Sequence, residues 1–539
     1  MSRSTQNPFQ AGLAAADAGD YAGANSIARA LLARNRRDVH AYQILGYAAF
    51  RQGRSSEALQ AFQAANAIEP DQPALLFWLG LLHKERGDNP AARRALESAV
   101  RINPKYGEAW CMLGETLYQS DNKNEATQAF ERALSAEPDS ARVQARAAKH
   151  FETIHDMARA RELAETAFKR DPRDVAVQIS LADIRLRDME FGKVLDIVRP
   201  LLAGDQINTG VRARLNHIAG VSFERLGRFD EAFAAFSQAN RLQKSIEPDI
   251  ARTTPSVLHQ KNLERLTSYL EQADMSFWSA PRILSGAAPV FLVGFVRSGT
   301  TWLDQILSSH PDIAVMEEHD HFVDASRDLV IADGELDRIG ALSDAQINAY
   351  RNAYWRRAEA VLKDDIARPL IIDKAPLNTA QLPLIARLFP EARIIFALRD
   401  PRDCVMSAFQ QYFQLNVGMA YFLDMQTSAV FYDKVMTIGE LTRRKSNLVF
   451  HEVRYERVVE NFDAEVAAVL NFLGVEWDDS VRDYRETAKR RAVNTPSLRQ
   501  VIQKPYATSI GKWRNYRDGM ASALPVLAPW VEKFGYDAD

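Results

Sequence analysis

The chain has 539 residues, of which 47% are hydrophobic, and its 67 lysines and arginines against 70 aspartates and glutamates give a net charge of −3. This balance gives no global attraction to nucleic acid or to an anionic membrane, so neither is expected as a partner. The two cysteines, Cys111 and Cys404, exclude a disulfide framework or a cysteine-built zinc site and favour a reducing compartment. The apolar runs fall far short of the ~20 residues that span a bilayer, and residues 1–10 lack the apolar segment of a secretory leader. We therefore expect a soluble, cytoplasmic protein without a membrane span, with about two to four domains at roughly 150 residues each.

A period of 34 residues runs through the first half of the chain. Three residue types recur at this spacing, namely the prolines Pro70, Pro104, Pro138 and Pro172; the glycines Gly12, Gly46, Gly80 and Gly114; and the alanines Ala24, Ala58, Ala92, Ala126 and Ala160. Small residues at a fixed period predict stacked helix pairs whose backbones approach closely, and each proline ends the second helix of its pair. The pattern resembles the tetratricopeptide repeat (TPR) family over about residues 8–242, in six or seven repeats.

The sequence thus predicts an α-solenoid over residues 1–242. Such an array has a concave face that commonly binds a peptide or a partner protein. A scaffold, or a surface for self-association as in a homodimer, is the alternative interpretation.

A helical linker is predicted over residues 243–286, and the pattern changes after Pro289. Short apolar runs, among them 290–293 and 393–398, then alternate with helical stretches. This alternation predicts a second domain over residues 287–539, an α/β domain with a mainly parallel sheet. Ligands of such domains bind beyond the carboxyl ends of the strands.

The first strand and helix of this domain enclose a loop with the spacing Gly294-x4-Gly299. Inward-pointing backbone N–H groups and the N-terminus of the following helix make such a loop an anion cradle. The spacing is that of a P-loop, but Thr300 stands where a nucleoside-triphosphatase would have its lysine. Arg297, inside the loop, can neutralise the charge that develops on a leaving phosphate. A purely structural glycine turn is the alternative.

From this loop onward, over about residues 287–520, the chain resembles sulfotransferases that use 3′-phosphoadenosine 5′-phosphosulfate (PAPS). The resemblance is to the protein-tyrosine sulfotransferase branch and to bacterial fusions of TPR repeats with a sulfotransferase. The family has Arg-Ser-Gly-Thr-Thr at its 5′-phosphosulfate site, which implies this role for Arg297, Ser298, Gly299, Thr300 and Thr301.

Further motifs extend the resemblance. A Glu-Glu pair after the loop implies that its second member, Glu318, is the general base. A strand followed by Arg399 and, eight residues later, Ser407 implies a site for the 3′-phosphate of the donor. Four further positions match more loosely. The resemblance implies that Lys374 stabilises the transferring group and that Tyr455 lies near the adenosine. It also implies that Lys512 binds a phosphate and that Ser497 contacts the sulfuryl group.

The resemblance implies transfer of a sulfuryl group from PAPS to an acceptor hydroxyl, which leaves adenosine 3′,5′-bisphosphate. The expected acceptor is a tyrosine of a protein or peptide that the repeat groove helps to recognise. One alternative is a small molecule, glycan or lipid acceptor, with the repeats as an assembly scaffold. Another is a repeat adaptor with a degenerate nucleotide-binding domain. No metal is expected, because His319 and His321 have no evident third ligand.

Overall fold

The computed structural model describes residues 7–538, apart from 121, 205–206, 280–283, 285–286, 333, 335 and 486–508. Contacts divide the chain into two compact units, Met1–Gly204 and Asp205–Asp539. None of the helices within these described ranges has the length and apolarity to cross a bilayer.

The first unit consists of α-helices that pack with their neighbours along the chain. Its described helices are α1 Pro8–Asp17, α2 Tyr21–Arg34, α3 Val39–Arg51, α4 Ser55–Ile68, α5 Pro73–Glu85, α6 Asn89–Ile102, α7 Gly107–Gln119, α8 Lys123–Ala136, α9 Ala141–Thr153, α10 Met157–Arg170, α11 Val175–Arg187 and α12 Phe191–Ala203. Four of these helices, α4, α6, α8 and α10, each end two residues before one of the periodic prolines. The predicted α-solenoid with proline-terminated helices is therefore confirmed.

The periodic small residues lie where the helices of a pair meet. A Cβ atom on Gly114 would come within 2.7 Å of the Phe130 ring and 3.2 Å of the Ala126 carbonyl oxygen. Gly46 and Gly80 face Phe62 and Leu96 in the same way. The periodic alanines are fully buried, so both registers mark close contacts between helix backbones.

The second unit contains a sheet of five parallel strands in the order β2-β3-β1-β4-β5. These are β1 Val290–Gly294, β2 Ile313–Glu317, β3 Leu370–Lys374, β4 Arg393–Leu398 and β5 Val449–Arg454. Strand β1 is central and buried along its whole length, as expected where helices cover both faces. The parallel α/β domain predicted from the alternating pattern is confirmed.

The α-helices described in the second unit are α13 Thr209–Arg225, α14 Phe229–Ile246, α15 Ile250–Thr253, α16 Gln260–Gln272, α17 Thr300–Ser308, α18 Val323–Ser326, α19 Asp344–Leu362, α20 Leu382–Leu388, α21 Pro401–Phe409, α22 Val417–Ala420, α23 Met425–Lys445, α24 Tyr455–Glu460, α25 Phe462–Leu473 and α26 Leu524–Lys533. Short 3₁₀ segments lie at Ser276–Ser279, Leu336–Arg338, Lys363–Ala367, Pro376–Gln381, Tyr421–Leu423, Asp479–Asp483 and Lys512–Tyr516, and a π-helical turn at Arg327–Ile331. Helices α15 and α16 lie within the predicted linker.

The helix pair α13/α14 has the repeat pattern but belongs to the second unit by its contacts. Phe233 stacks on Phe409, with ring centroids 5.3 Å apart. The Asn240 side chain donates a hydrogen bond to the Phe409 carbonyl, and Gln243 donates one to the Phe413 carbonyl, both at 3.0 Å. The repeat period predicts a domain boundary at residue 242, whereas the contacts divide the chain after residue 204. The two differ because the last helix pair packs on the α/β domain.

Two glycine-to-alanine changes test the role assigned to the periodic glycines. Gly114→Ala should lower the free energy of unfolding by about 1–2 kcal/mol, because overpacking outweighs the gain in helix propensity. Gly192→Ala is the matched control, since a Cβ atom on that helical glycine meets nothing within 4 Å. The control should be neutral or stabilising by up to about 1 kcal/mol. Urea denaturation measures both; equal effects of the two changes would contradict the packing role.

Candidate functional site

The loop between β1 and α17 packs closely against its neighbours at two glycines, where a larger residue would not fit. A Cβ atom on Gly294 would lie 2.4 Å from the Ala397 carbonyl oxygen. Gly299 has a left-handed backbone with φ of 95°, and a Cβ atom there would lie 2.7 Å from the Tyr455 ring. The two glycines therefore fix the loop against β4 and against the start of α24.

The start of α17 is arranged to bind an anion. Its N-cap is Gly299, which has no side chain to accept hydrogen bonds from the first N–H groups of the helix. Thr300 and Thr301 are buried in the first turn. The buried Ser298 hydroxyl has no hydrogen-bond partner among the described residues. Free N–H groups and hydroxyls at a helix N-terminus form an anion site, so the residues present fit the predicted phosphate group.

Arg297 is held in a strained conformation inside the loop. Its backbone is left-handed with φ of 70°, which is unfavourable for a side chain with a Cβ atom. Its Nε donates a hydrogen bond to Ser407 Oγ at 3.0 Å, which joins the two predicted phosphate sites. Burial, and next the charge of Arg399, lower the pKa of Arg297 to about 10, so that it remains a cation at neutral pH.

Arg399 follows β4 and lies against Arg297. It donates to the Arg297 carbonyl at 3.2 Å and to the Ser509 carbonyl at 2.6 Å. Its guanidinium carbon is 4.8 Å from the centre of the Tyr455 ring, while its buried Nε has no partner among the described residues. Burial disfavours its charge, but Asp403 and other neighbours outweigh burial and raise the pKa of Arg399. The charge of Arg399 disfavours that of the half-buried Arg297, and an anion in the adjoining cavity would relieve this repulsion.

Glu318 and Lys374 form an ion pair at the carboxyl ends of β2 and β3. Lys374 Nζ lies 2.8 Å from Glu318 Oε1 and 3.8 Å from Asp304 Oδ2. The Lys374 side chain is fully buried, whereas that of Glu318 is 45% exposed. Burial opposes the lysine charge, but Asp304 and Glu318 overcome this effect and raise the pKa of Lys374. Glu318 also has a left-handed backbone, with φ of 39°.

The segment from Ser509 to Trp513 closes the site on the side of Tyr455. The Tyr455 hydroxyl and the Ser509 hydroxyl are hydrogen-bonded at 2.9 Å. The N–H groups of Gly511 and Trp513 both donate to the Asp403 carboxylate. Lys512 is thereby brought to the site, but Ser497, predicted to contact the sulfuryl group, lies outside the described residues.

Most of these residues line one cavity of about 1440 Å³, although Ser298 does not. Those predicted from the sequence that line it are Arg297, Gly299, Thr300, Thr301, Glu318, Arg399, Ser407, Tyr455 and Lys512. Lys374 does not line the cavity, but its ammonium group contacts the carboxylate of Glu318, which does. Pockets for single small ligands measure about 300–1,000 Å³, so this cavity has room for a nucleotide and a second molecule.

Sequence reasoning missed three acidic residues of the site. Asp403 lies four residues after Arg399, and this spacing brings two side chains together at the start of a helix. The spacing is therefore a signal in the sequence for a contact between Asp403 and Arg399. Asp304 and Glu224 carry no such signal, because their partners Lys374 and Lys512 are far away in sequence.

The two histidines considered as metal ligands lie near Glu318. His321 is buried, and its Nδ1 lies 3.2 Å from the Asp373 carboxylate. Within the described ranges, no group of three or more histidines, cysteines, aspartates or glutamates is placed to hold a metal ion.

Comparison with known families confirms the resemblance read from the motifs. Residues 289–479 match the model of a sulfotransferase family. Residues 9–73 and 84–149 match two tetratricopeptide repeat models.

Relatives of known sequence cover different parts of the chain. An uncharacterised protein of Aquifex aeolicus is 24% identical over 451 residues, which are 82% of this chain and 57% of that protein. The chain thus spans little more than half the length of this relative. Protein-tyrosine sulfotransferase 2 of Gallus gallus is 26% identical over 266 residues, covering 46% of this chain and 69% of the bird protein.

Solved structures match the repeats. A thermophilic TPR protein of Thermus thermophilus is 21% identical, with a TM-score of 0.31, and covers 34% of this chain and 98% of its own. The family models alone give the chain N-terminal tetratricopeptide repeats and a C-terminal sulfotransferase domain.

Proposed function

We propose that this protein transfers a sulfuryl group from PAPS to an acceptor hydroxyl, most simply the phenol of a peptide tyrosine. The observation that carries the proposal is the contact of the Arg399 guanidinium with the Arg297 carbonyl beside a glycine loop, which places both arginines on a cavity that Glu318 also lines. This arrangement supplies positive charge for a doubly phosphorylated nucleotide and a carboxylate for an acceptor proton.

The donor would be held at two points. The loop N–H groups and the hydroxyls of Ser298, Thr300 and Thr301 would bind its 5′ phosphosulfate group. Arg399 and Ser407 would bind the 3′-phosphate, which ATP lacks, and a guanidinium suits a phosphate because its N–H groups can donate in pairs. The buried Nε of Arg399 is a polar group left for such a ligand.

The acceptor proton would pass to Glu318. Lys374 donates to Oε1 of this carboxylate, which leaves the second oxygen to accept the proton. Bound PAPS would supply the sulfuryl group and a phosphate leaving group. Arg297, still a cation at neutral pH, would stabilise the charge that develops on that phosphate.

The remainder of the cavity supports an aromatic acceptor. Its lining includes the apolar side chains of Val257, Leu258, Leu377, Val417 and Met419. A phenol ring gains free energy by leaving water for such surroundings. We propose that the repeat array binds the protein or peptide that carries the tyrosine, and that the chain acts in the cytoplasm, where its two buried free cysteines would stay reduced.

Nucleotide titration tests the donor assignment. By calorimetry, adenosine 3′,5′-bisphosphate should bind and ATP should not, because the loop lacks the lysine of a nucleoside-triphosphatase. Arg399→Ala should weaken binding of the bisphosphate by about 100-fold, since charge-assisted hydrogen bonds to a phosphate are lost. Arg393→Ala is the control on the same strand, because that guanidinium binds the Phe472 and Leu473 carbonyls away from the cavity. Preference for ATP would contradict the proposal.

A second substitution separates chemistry from binding. Glu318→Gln should lower the rate of sulfuryl transfer by about 10²–10⁴-fold, the usual contribution of a general base. Its affinity for adenosine 3′,5′-bisphosphate should stay within about threefold of wild type, because the base contacts the acceptor rather than the phosphates. Glu317→Gln is the matched control and should keep its activity. A Glu318→Gln enzyme with wild-type rates would disprove the base assignment.

The acceptor is tested with radiolabelled PAPS and the full chain. Label should enter tyrosine-containing peptides, and replacing tyrosine by phenylalanine in the same peptide should abolish incorporation. Incorporation into small phenols, glycans or lipids but into no peptide would contradict a peptide acceptor while leaving the donor assignment standing.

A further inference from the structure

The last helix pair of the repeat pattern contributes a carboxylate to the cavity. Glu224 lies in the final turn of α13 and lines the same cavity as Arg399 and Ser407. Its Oε2 lies 2.8 Å from Lys512 Nζ, and its side chain is only 11% exposed. An acidic side chain here is unexpected, since a carboxylate repels the anion that the rest of the site attracts.

Glu224 is also fixed from two other sides. Its Oε1 accepts hydrogen bonds from the Tyr516 hydroxyl and from the Gln410 side chain. Gln410 lies three residues after Ser407 and also accepts a hydrogen bond from Lys512 at 3.4 Å. Three donors on one carboxylate distinguish this pair from an isolated surface ion pair, which usually contributes little.

Glu224 is not needed to hold the backbone at Lys512. The N–H groups on either side of it, those of Gly511 and Trp513, donate to Asp403 at 2.7 and 2.9 Å. The nearby Ser509 carbonyl is bound by Arg399. The position of the Lys512 backbone is therefore set from within the α/β domain, and Glu224 acts on the Lys512 side chain.

We propose that Glu224 competes with the nucleotide phosphate for Lys512 and so sets the affinity of the donor site. The inference rests on the proposed function, in which a phosphate occupies the cavity. The Lys512 ammonium group is held by the Glu224 carboxylate, so a phosphate gains its charge only by taking it away from that carboxylate. Glu224 is thus a positioning residue, through which the last helix pair of the repeats becomes part of the donor site.

The test measures binding of adenosine 3′,5′-bisphosphate by calorimetry in the full-length protein. Glu224→Gln keeps an oxygen for Tyr516 but removes the charge, so the dissociation constant should fall by about five- to tenfold. This gain should shrink as sodium chloride is raised, because salt screens the added positive charge. Glu231→Gln is the matched control, since Glu231 pairs with Arg228 in the first turn of α14 and does not line the cavity.

Lys512→Gln, made in both backgrounds, gives a readout that a structural role would not move. It should weaken binding about two- to threefold in the wild-type protein, where Lys512 is engaged by Glu224, and about tenfold or more beside Glu224→Gln. If Glu224 instead held Lys512 in place for the phosphate, the loss would be smaller beside Glu224→Gln.

The outcomes separate this inference from the proposed function. Bisphosphate binding by the wild type, with unchanged or weaker binding by Glu224→Gln, would overturn the competition alone. Absence of bisphosphate binding by the wild type would overturn the proposed function and the inference together. A fall in the dissociation constant that is equal for Glu231→Gln would also overturn the inference, because it would reflect net charge rather than Lys512.

Discussion

The α/β domain brings two arginines together at one edge of its sheet, and the candidate site depends on this constraint. Arg297 lies in the loop after β1, and Arg399 follows the end of β4. The Arg399 guanidinium donates a hydrogen bond to the Arg297 carbonyl. Their like charges repel in surroundings that stabilise charge poorly. Adjacent parallel strands fix both residues, and both line the cavity, where an anion would offset their charge.

The parallel sheet explains how distant segments reach one site. The central strand β1 lies between β3 and β4, so that the loop, Lys374 and Arg399 all emerge at the same edge. Strand β2 beside β3 brings Glu318 to Lys374. Left-handed backbones at Arg297 and Glu318 show that local strain is accepted where these two side chains must face the cavity.

The helix pair α13/α14 changes the meaning of the repeat array. By sequence it is the last repeat, with Gly220 facing Phe236 as in the earlier pairs. By its contacts it is part of the second unit and carries Glu224 into the cavity wall. The repeat pattern and the proposed nucleotide site therefore share one helix pair.

The sequence by itself determined the helix pairs and the parallel sheet, and it indicated nine of the residues that line the cavity. Helical period, the Gly294-x4-Gly299 spacing and the interval from Arg399 to Ser407 are local patterns, and local backbone geometry follows from them. The tertiary structure alone decided which residues of different segments meet. The bond of Arg297 to Ser407, the burial of Lys374 behind Glu318 and the pair of Glu224 with Lys512 join positions 56 to 288 residues apart. Such pairs depend on strand order and on how helices pack, which no spacing along the chain records.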